Sequence, residues 1–358
     1  MNLFHAGFTE GHPPVSVRFG PGVRRDLDPE LDALGIGRAI ILTTPQQAGQ
    51  GRALVSALGK RSAGIFTDAT MHTPVEVTEK ALAELNRINA DGIVSIGGGS
   101  TIGLGKALAW RTDLPQIVLP TTYAGSEATP VLGQTVRGEK STFSNPKVQP
   151  EAIVYDPELV ATLPAAMSVT SALNAMAHAV EALYAQDRNP LASALALQGI
   201  RTFHDALPEV VSAPDDLAVR EATQFGAWLC GTVLGQVGMA LHHKLCHVLG
   251  GTLNLPHAET HAIILPHAVS YNELATDVLQ PVAAMFGAES AAMGLHDFCE
   301  RMGAPLKLSD LGVKLSDLDR IAEMSVRNPY WNPRALSRDG IRRILQRAWE
   351  GATPELEV

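Results

Sequence analysis

The stretch DGIVSIGGGSTIGLGKALAW, residues 91–110, decides the fold. DGIVSI (91–96) is a short apolar run that reads as a buried strand. Gly97, Gly98 and Gly99 follow it, and Ser100 and Thr101 then open a helical pattern. Strand, tight turn and helix in that order make the βα unit of a parallel sheet. The glycines permit positive φ and close approach of the backbone. The two hydroxyls can cap the helix. A diphosphate would be held there by backbone N–H groups and the positive end of the helix. A tight turn with no ligand would look similar, but the strand–turn–helix context favours phosphate binding. The common dinucleotide fingerprint is not met, because the turn follows a late strand and no acidic residue stands at the usual distance. A GKS or GKT triplet is also absent, which excludes a Walker A loop.

Working outward, VSVRFG (15–20), RAIILTT (38–44), GIFTDA (64–69) and PQIVLP (115–120) read as further strands. The segments QQAGQGRALVSAL and VTEKALAELNRINA (77–90) read as helices between them. After AIVYDPELVATLP (152–164) the strand signals stop. Ala- and Leu-rich helical stretches then run from about Ser168, broken at NP (189–190), APDD (213–216), LPH (255–257) and NPYWNP (328–333). The expected fold is therefore α/β plus all-α. Residues 1–163 form a Rossmann-like dinucleotide-binding domain with a parallel sheet, and residues 164–358 form a helical bundle that carries the substrate chemistry. A length of 358 residues suits two domains, and ligand sites favour the clefts between such halves.

Net charge is −9, which speaks against nucleic acid as a partner. The three cysteines, Cys230, Cys246 and Cys299, are odd in number and widely spaced, so a reducing compartment is expected. The opening MNLFHAGFTEGHPP has no basic stretch and no long apolar run, so no signal peptide is read there. No eighteen-residue apolar run suggests a membrane helix. These readings point to a cytoplasmic protein.

Two further segments carry chemistry. PTTYAGSEATP (120–130) follows a strand end, and its hydroxyls at Thr121, Thr122, Tyr123 and Ser126 suit a ribose, a phosphate or a nicotinamide. LHHKLCHVLGGTLNLPHAETHAIILPH (241–267) holds six of the twelve histidines: His242, His243, His247, His257, His261 and His267. His243 and His247 are four apart, as are Asn174 and His178 in SALNAMAHAVEAL, so each pair shares a helix face. His257 follows a proline that opens a helix. Ligands converging from such elements make a metal site plausible. His5, His12, His72, His204 and His296 are isolated and read as surface or satisfied core residues. His242, His261 and His267 are read as packing or hydrogen-bonding groups.

The set GGGSTIGLGKA, PTTYAGSEATP, NAMAHAVEA and HHKLCHVLGGTLNLPHAETHAIILPH resembles the iron-containing alcohol dehydrogenase family, with its dehydroquinate synthase-like fold, over essentially the whole chain. TYAGSE and HHKLCHVLGG narrow the resemblance to the branch that reduces maleylacetate. In metal-dependent members an Asp and three His hold the ion, and the motifs put those positions at Asn174, His178, His243 and His257. The carboxylate is thus replaced by an amide, and these are expected to be vestigial metal positions with no metal bound.

The resemblance implies reduction of the C=C bond of maleylacetate, a small dicarboxylate, to 3-oxoadipate in the breakdown of aromatic compounds. Hydride addition to the alkene carbon β to the ketone builds an enolate, which an imidazolium can stabilise and protonate. His243 is expected as the proton donor, with His178, His247 and His257 around the substrate. Tyr123 is another possible acid. Lys244, Arg334 and Asn174 are substrate-binding candidates. Gly97, Gly98, Gly99, Ser100, Thr101, Thr121, Thr122 and Ser126 are expected to hold the cofactor. At the end of the second strand, Thr43 and Thr44 stand where strict NADH users of the family often carry a carboxylate. NADH is therefore expected, with NADPH possible. A homodimer is implied, paired through strands from the first twenty residues. The alternatives are a metal-dependent alcohol dehydrogenase acting on a small aldehyde or ketone, and a nucleotide-binding protein without catalysis.

Overall fold

In the computed structural model, residues 15–136, 139–328 and 330–356 are described. Met1–Pro14, with His5, His12 and most of the expected dimer-forming segment, lie outside them.

The first of two compact units comprises residues 15–163 together with Asp215–Gln224. Its strands are β1 (Ser16–Phe19), β2 (Ala39–Leu42), β3 (Ser62–Phe66), β4 (Gly92–Gly97), β5 (Gln116–Pro120), β6 (Val131–Val136), β7 (Glu139–Ser144) and β8 (Ala152–Tyr155). Its helices are α1 (Asp28–Ala33), α2 (Ala48–Leu58), α3 (Val75–Arg87), α4 (Gly99–Thr112) and α5 (Pro157–Val160). Six strands form one parallel sheet in the order β1-β8-β5-β4-β2-β3. The central strands are apolar on both faces because both faces are covered. One face packs Ile41, Val94 and Leu119 against Leu54 of α2 and Leu31 of α1. The other packs Ile40, Leu42 and Ile93 against Leu85 of α3 and Leu104 and Leu108 of α4. The chain thus leaves adjacent β2 and β4 toward opposite faces. That is the topological switch point at which doubly wound sheets bind ligands.

One element escaped the sequence reading. β6 and β7 form an antiparallel hairpin, with Val131 opposite Ser144 and Leu132 opposite Phe143. Leu132 and Phe143 pack on Ala107 and Val148.

The second unit includes Pro164–Pro214 and residues 225–356 and is helical. It holds α6 (Ala165–Leu183), α7 (Pro190–Ser212), most of α8 (Leu217–Gln236), α9 (Leu241–Leu253), α10 (His257–Glu273), α11 (Gln280–Phe286), α12 (Ala291–Arg301), α13 (Leu318–Val326) and α14 (Arg338–Glu350). Asn189 caps α7, and its side chain accepts from the Ala192 N–H. The helix breaks read from sequence fall between α6 and α7, α7 and α8, α9 and α10, and α13 and α14. Leu245 and Leu249 of α9, Ile263 and Ile264 of α10 and Ile341 and Ile344 of α14 share one core. The first turns of α8 go with the sheet unit, which the reading of residues 164–358 as one helical block did not foresee. Buried Arg220 explains this: its guanidinium donates to Leu163 O at 3.0 Å and to Tyr123 Oη at 3.1 Å. Among the described residues no helix is long and apolar enough to cross a membrane.

Candidate active site

The sheet unit and the helical unit each bring together one set of the residues singled out above.

In the sheet unit, the ends of β2, β4 and β5 converge. Gly97 ends β4, and Gly98 stands at the cap of α4, where no side chain caps the helix. Ser100 and Thr101, expected as caps, instead lie inside the first turn, because the helix already begins at Gly99. Gly97 and Gly98 have no space for a side chain. A Cβ at Gly97 would sit 2.3 Å from Thr101 Oγ1, and one at Gly98 would sit 2.9 Å from Thr122 Cγ2. The Thr121 N–H donates to Gly97 O at 3.1 Å, which ties the second loop to the first. Gln47 donates from Nε2 to Thr121 Oγ1 at 2.6 Å, and Thr44 donates to Gln47 Oε1 at 3.3 Å. Thr43 is buried at the end of β2. Thr101 Oγ1 and Ser126 Oγ are buried with no hydrogen-bond partner. An uncapped helix N-terminus, two glycines under steric constraint and two orphaned hydroxyls suit an anionic nucleotide.

Tyr123 is fully buried on Arg220, and burial pushes its phenol up to about 12. Lys106 donates from Nζ to Ser126 O at 2.7 Å and to Thr129 O at 2.6 Å, so it pins the same loop from below.

In the helical unit, α6, α9 and α10 gather six imidazoles. His178 Nδ1 lies 2.7 Å from His243 Nε2. His242 Nε2 lies 3.0 Å from His261 Nδ1. The His257 and His261 rings are 4.3 Å apart, and the His243 and His247 rings 6.3 Å. His247 and His257 are exposed, whereas His178 and His243 are buried. His267 lies farther along α10 and is buried there. His242 and His261, read from sequence as packing or hydrogen-bonding groups, are hydrogen-bonded to each other within the cluster.

Behind the cluster lies Glu181, which the sequence reading missed. It stands three residues after His178 on the same helix and is completely buried. Its Oε2 accepts from His243 Nδ1 at 2.6 Å. Its burial could not be read from the sequence, where it is one glutamate in a helical pattern three residues after His178. Burial by itself would push this carboxyl up, but the His243 hydrogen bond and the charges of His243 and His242 hold it at about 2. Burial drives His242 down to about 3 and His261 well below the usual imidazole range. It drives the Cys246 thiol well up. One ligand atom from each of His242, Cys246 and His261 lies within 4.8 Å of the others, and burial keeps this trio uncharged at neutral pH.

Asn174 is buried one turn before His178, and its Oδ1 has no hydrogen-bond partner. Half-buried Lys244 places Nζ 5.6 Å from the centre of the Tyr330 ring. Arg334 stacks over Tyr271 at 4.5 Å and donates to Tyr271 O at 3.1 Å. The segment carrying Tyr330 and Arg334 is anchored by Asn332, which exchanges hydrogen bonds of 2.7 and 3.0 Å with Asn272.

Residues 14–157 match the sequence profile of iron-containing alcohol dehydrogenase, and residues 168–349 match that of the Fe-containing alcohol dehydrogenase family, C-terminal. A maleylacetate reductase of Rhizobium sp. strain MTP-10005 is 55% identical over 343 residues, which cover 96% of this chain and 97% of that one. A maleylacetate reductase of Burkholderia cepacia is 48% identical over 94% of this chain and 96% of its own. The crystal structure of maleylacetate reductase from Agrobacterium tumefaciens superposes with a TM-score of 0.95 at 55% identity, covering 98% of this chain and 100% of that one.

Proposed function

This chain belongs to the iron-containing alcohol dehydrogenase family, and on that premise we propose that it reduces the C=C bond of maleylacetate with NAD(P)H, giving 3-oxoadipate, without a metal ion. The observation that carries the reading is the imidazole cluster headed by Asn174, in a chain 55% identical to a maleylacetate reductase over 96% of its length.

The Gly97–Thr101 turn, Thr121, Thr122 and Ser126 would hold the nucleotide, with Thr43 and Thr44 toward its ribose. When bound, the reduced nicotinamide supplies a hydride to the alkene carbon β to the ketone. The remaining chemistry falls to the protein. Negative charge develops on the ketone oxygen, and the carbon α to it takes a proton. The His178–His243 pair can donate a hydrogen bond to that oxygen and deliver the proton. Lys244 and Arg334 would bind the two substrate carboxylates. Because no carboxylate marks the end of β2, where Thr43 and Thr44 stand, a 2′-phosphate meets no repulsion there. NADH is the expected cofactor, and nothing at the end of β2 bars NADPH.

The residues present do not suit the ion of the family name. Asn174 offers a neutral oxygen where a hard divalent ion wants an anionic one. His178 and His243 turn nitrogens on each other at 2.7 Å. Two nitrogens bound at about 2.0–2.1 Å to one tetrahedral ion would stand about 3.3 Å apart. The metal-dependent alcohol dehydrogenase is disfavoured on these grounds, and the non-catalytic reading by the orphaned Asn174 Oδ1 beside an intact imidazole pair. The same proposal makes the enzyme a cytoplasmic homodimer. β1 ends the sheet order, and a second copy would cover such an edge.

The test is loss of NADH absorbance on adding maleylacetate after treatment with a strong chelator. Undiminished turnover is expected. Activity that disappears and returns with ferrous or zinc ion would overturn the metal-free reading. No turnover of maleylacetate under any condition would overturn the substrate.

A further inference from the structure

Glu181 receives five hydrogen bonds, all from donors of the helical unit. Oε2 accepts from the Ala240 N–H at 3.0 Å, the His243 N–H at 3.3 Å and the His243 ring at 2.6 Å. Oε1 accepts from the His242 N–H at 2.9 Å and from the Tyr184 hydroxyl at 3.2 Å. Three of these donors are backbone groups at the start of α9, whose cap residue, Ala240, has no side chain able to accept them. A buried carboxylate on α6 thus does for α9 what a Ser or Asp at the cap would do. Capping needs only the backbone donors. The grip on the His243 ring is additional, and it has a chemical consequence. A carboxylate can only accept, so the proton of that bond sits on His243 Nδ1. Nε2 is then the nitrogen set against His178, at 2.7 Å.

We propose that Glu181 is a positioning residue of the reaction: it holds His243 in the Nδ1–H tautomer with Nε2 against His178, so that the two imidazoles pass a proton as one unit. This rests on the reductase reading above. Glu181 is completely buried and acts through His243. The α6–α9 packing sets the ring, and the carboxylate decides which nitrogen works.

The experiment is ¹⁵N-resolved NMR of the histidine rings, together with steady-state kinetics of Glu181→Gln, Glu181→Asp and Glu181→Gln/Ala240→Ser. In the wild-type chain His243 is expected as the Nδ1–H tautomer, and finding Nε2–H there overturns the proposal without any variant. Glu181→Gln keeps an oxygen for the helix but presents an amide to the ring. It should shift the tautomer and lower kcat by about 100-fold, with KM for maleylacetate and Kd for NADH within about threefold. Glu181→Asp keeps the acceptor and should recover at least tenfold of the loss. The serine at position 240 supplies a cap of its own. If the double variant regains both stability and kcat, Glu181 is only a cap and the proposal falls. Wild-type protein that never turns over maleylacetate would sink the reductase reading instead and leave the tautomer result standing.

Discussion

His178 Nδ1 and His243 Nε2 lie 2.7 Å apart, so two imidazoles separated by 65 residues in the chain share one hydrogen bond. In the metal-dependent arrangement each of these rings would face an ion. Here they face each other, and Asn174, one turn before His178, is the residue proposed above to stand in place of a carboxylate ligand. Asn174→Asp should therefore reverse both features. The new carboxylate would sit in a site only 4% exposed, repelling a dianionic substrate and completing an Asp–His₃ ligand set. Maleylacetate turnover should fall at least tenfold, and mass spectrometry should find zinc or iron near one per chain. Full activity with no retained metal would contradict this.

Gly98 tests the nucleotide site. Its added methyl would lie 2.9 Å from Thr122 Cγ2, in the space under the expected diphosphate. Gly98→Ala should raise the Kd for NADH, followed by fluorescence titration, at least tenfold. Alanine suits the negative φ of −89° at Gly98, so any fall in melting temperature would report the displacement of Thr122 rather than backbone strain. Unchanged NADH affinity would move the nucleotide elsewhere.

Lys244 tests carboxylate recognition. Lys244→Gln keeps much of the stem beside Tyr330 and removes the charge. KM for maleylacetate should rise at least tenfold, with kcat within about threefold and the NADH affinity unchanged. That is the signature of lost uniform binding. A fall in kcat at constant KM would assign Lys244 to the proton transfer instead.

Acid should weaken the fold through buried His267. Burial first, then the charges of His296 and Arg347, lowers its imidazole to about 3. The unfolded chain takes up a proton below about 6.5, while the folded chain stays neutral. Stability is therefore full above that pH and is lost as the pH falls toward 3. The loss from His267 alone is about 2 kcal/mol at pH 5. Urea midpoints at pH 7.5 and 5 should differ less in His267→Gln than in the wild-type chain. An equal difference would mean that this histidine is already protonated when folded.

Much of the fold was legible because its signals are local. Apolar runs ended by turn residues marked β2, β4 and β5, and the loss of strand signals after β8 marked the helical half. The hairpin of β6 and β7 was missed because VLGQTV and EKSTFS carry few apolar residues, and its apolar face, Leu132 and Phe143, meets only a small cluster. The pairs Asn174/His178 and His243/His247 were legible from their helical offsets, and each pair lies on one helix. Glu181 was not, because a glutamate in a helix is ordinarily a solvated residue, and only burial against another helix gives it a role.

By itself the sequence determined which residues could share a helix face and where glycines let the backbone turn tightly between a strand and a helix. These follow from dihedral preferences and side-chain chemistry within a few residues. The tertiary structure alone decided that Glu181 caps α9, that His243 gives one nitrogen to Glu181 and the other to His178, and that His242 pairs with His261. Those choices depend on how α6, α9 and α10 pack across long stretches of chain. Helical periodicity leaves the relative rotation and register of packed helices open, and only the close packing of the core fixes them.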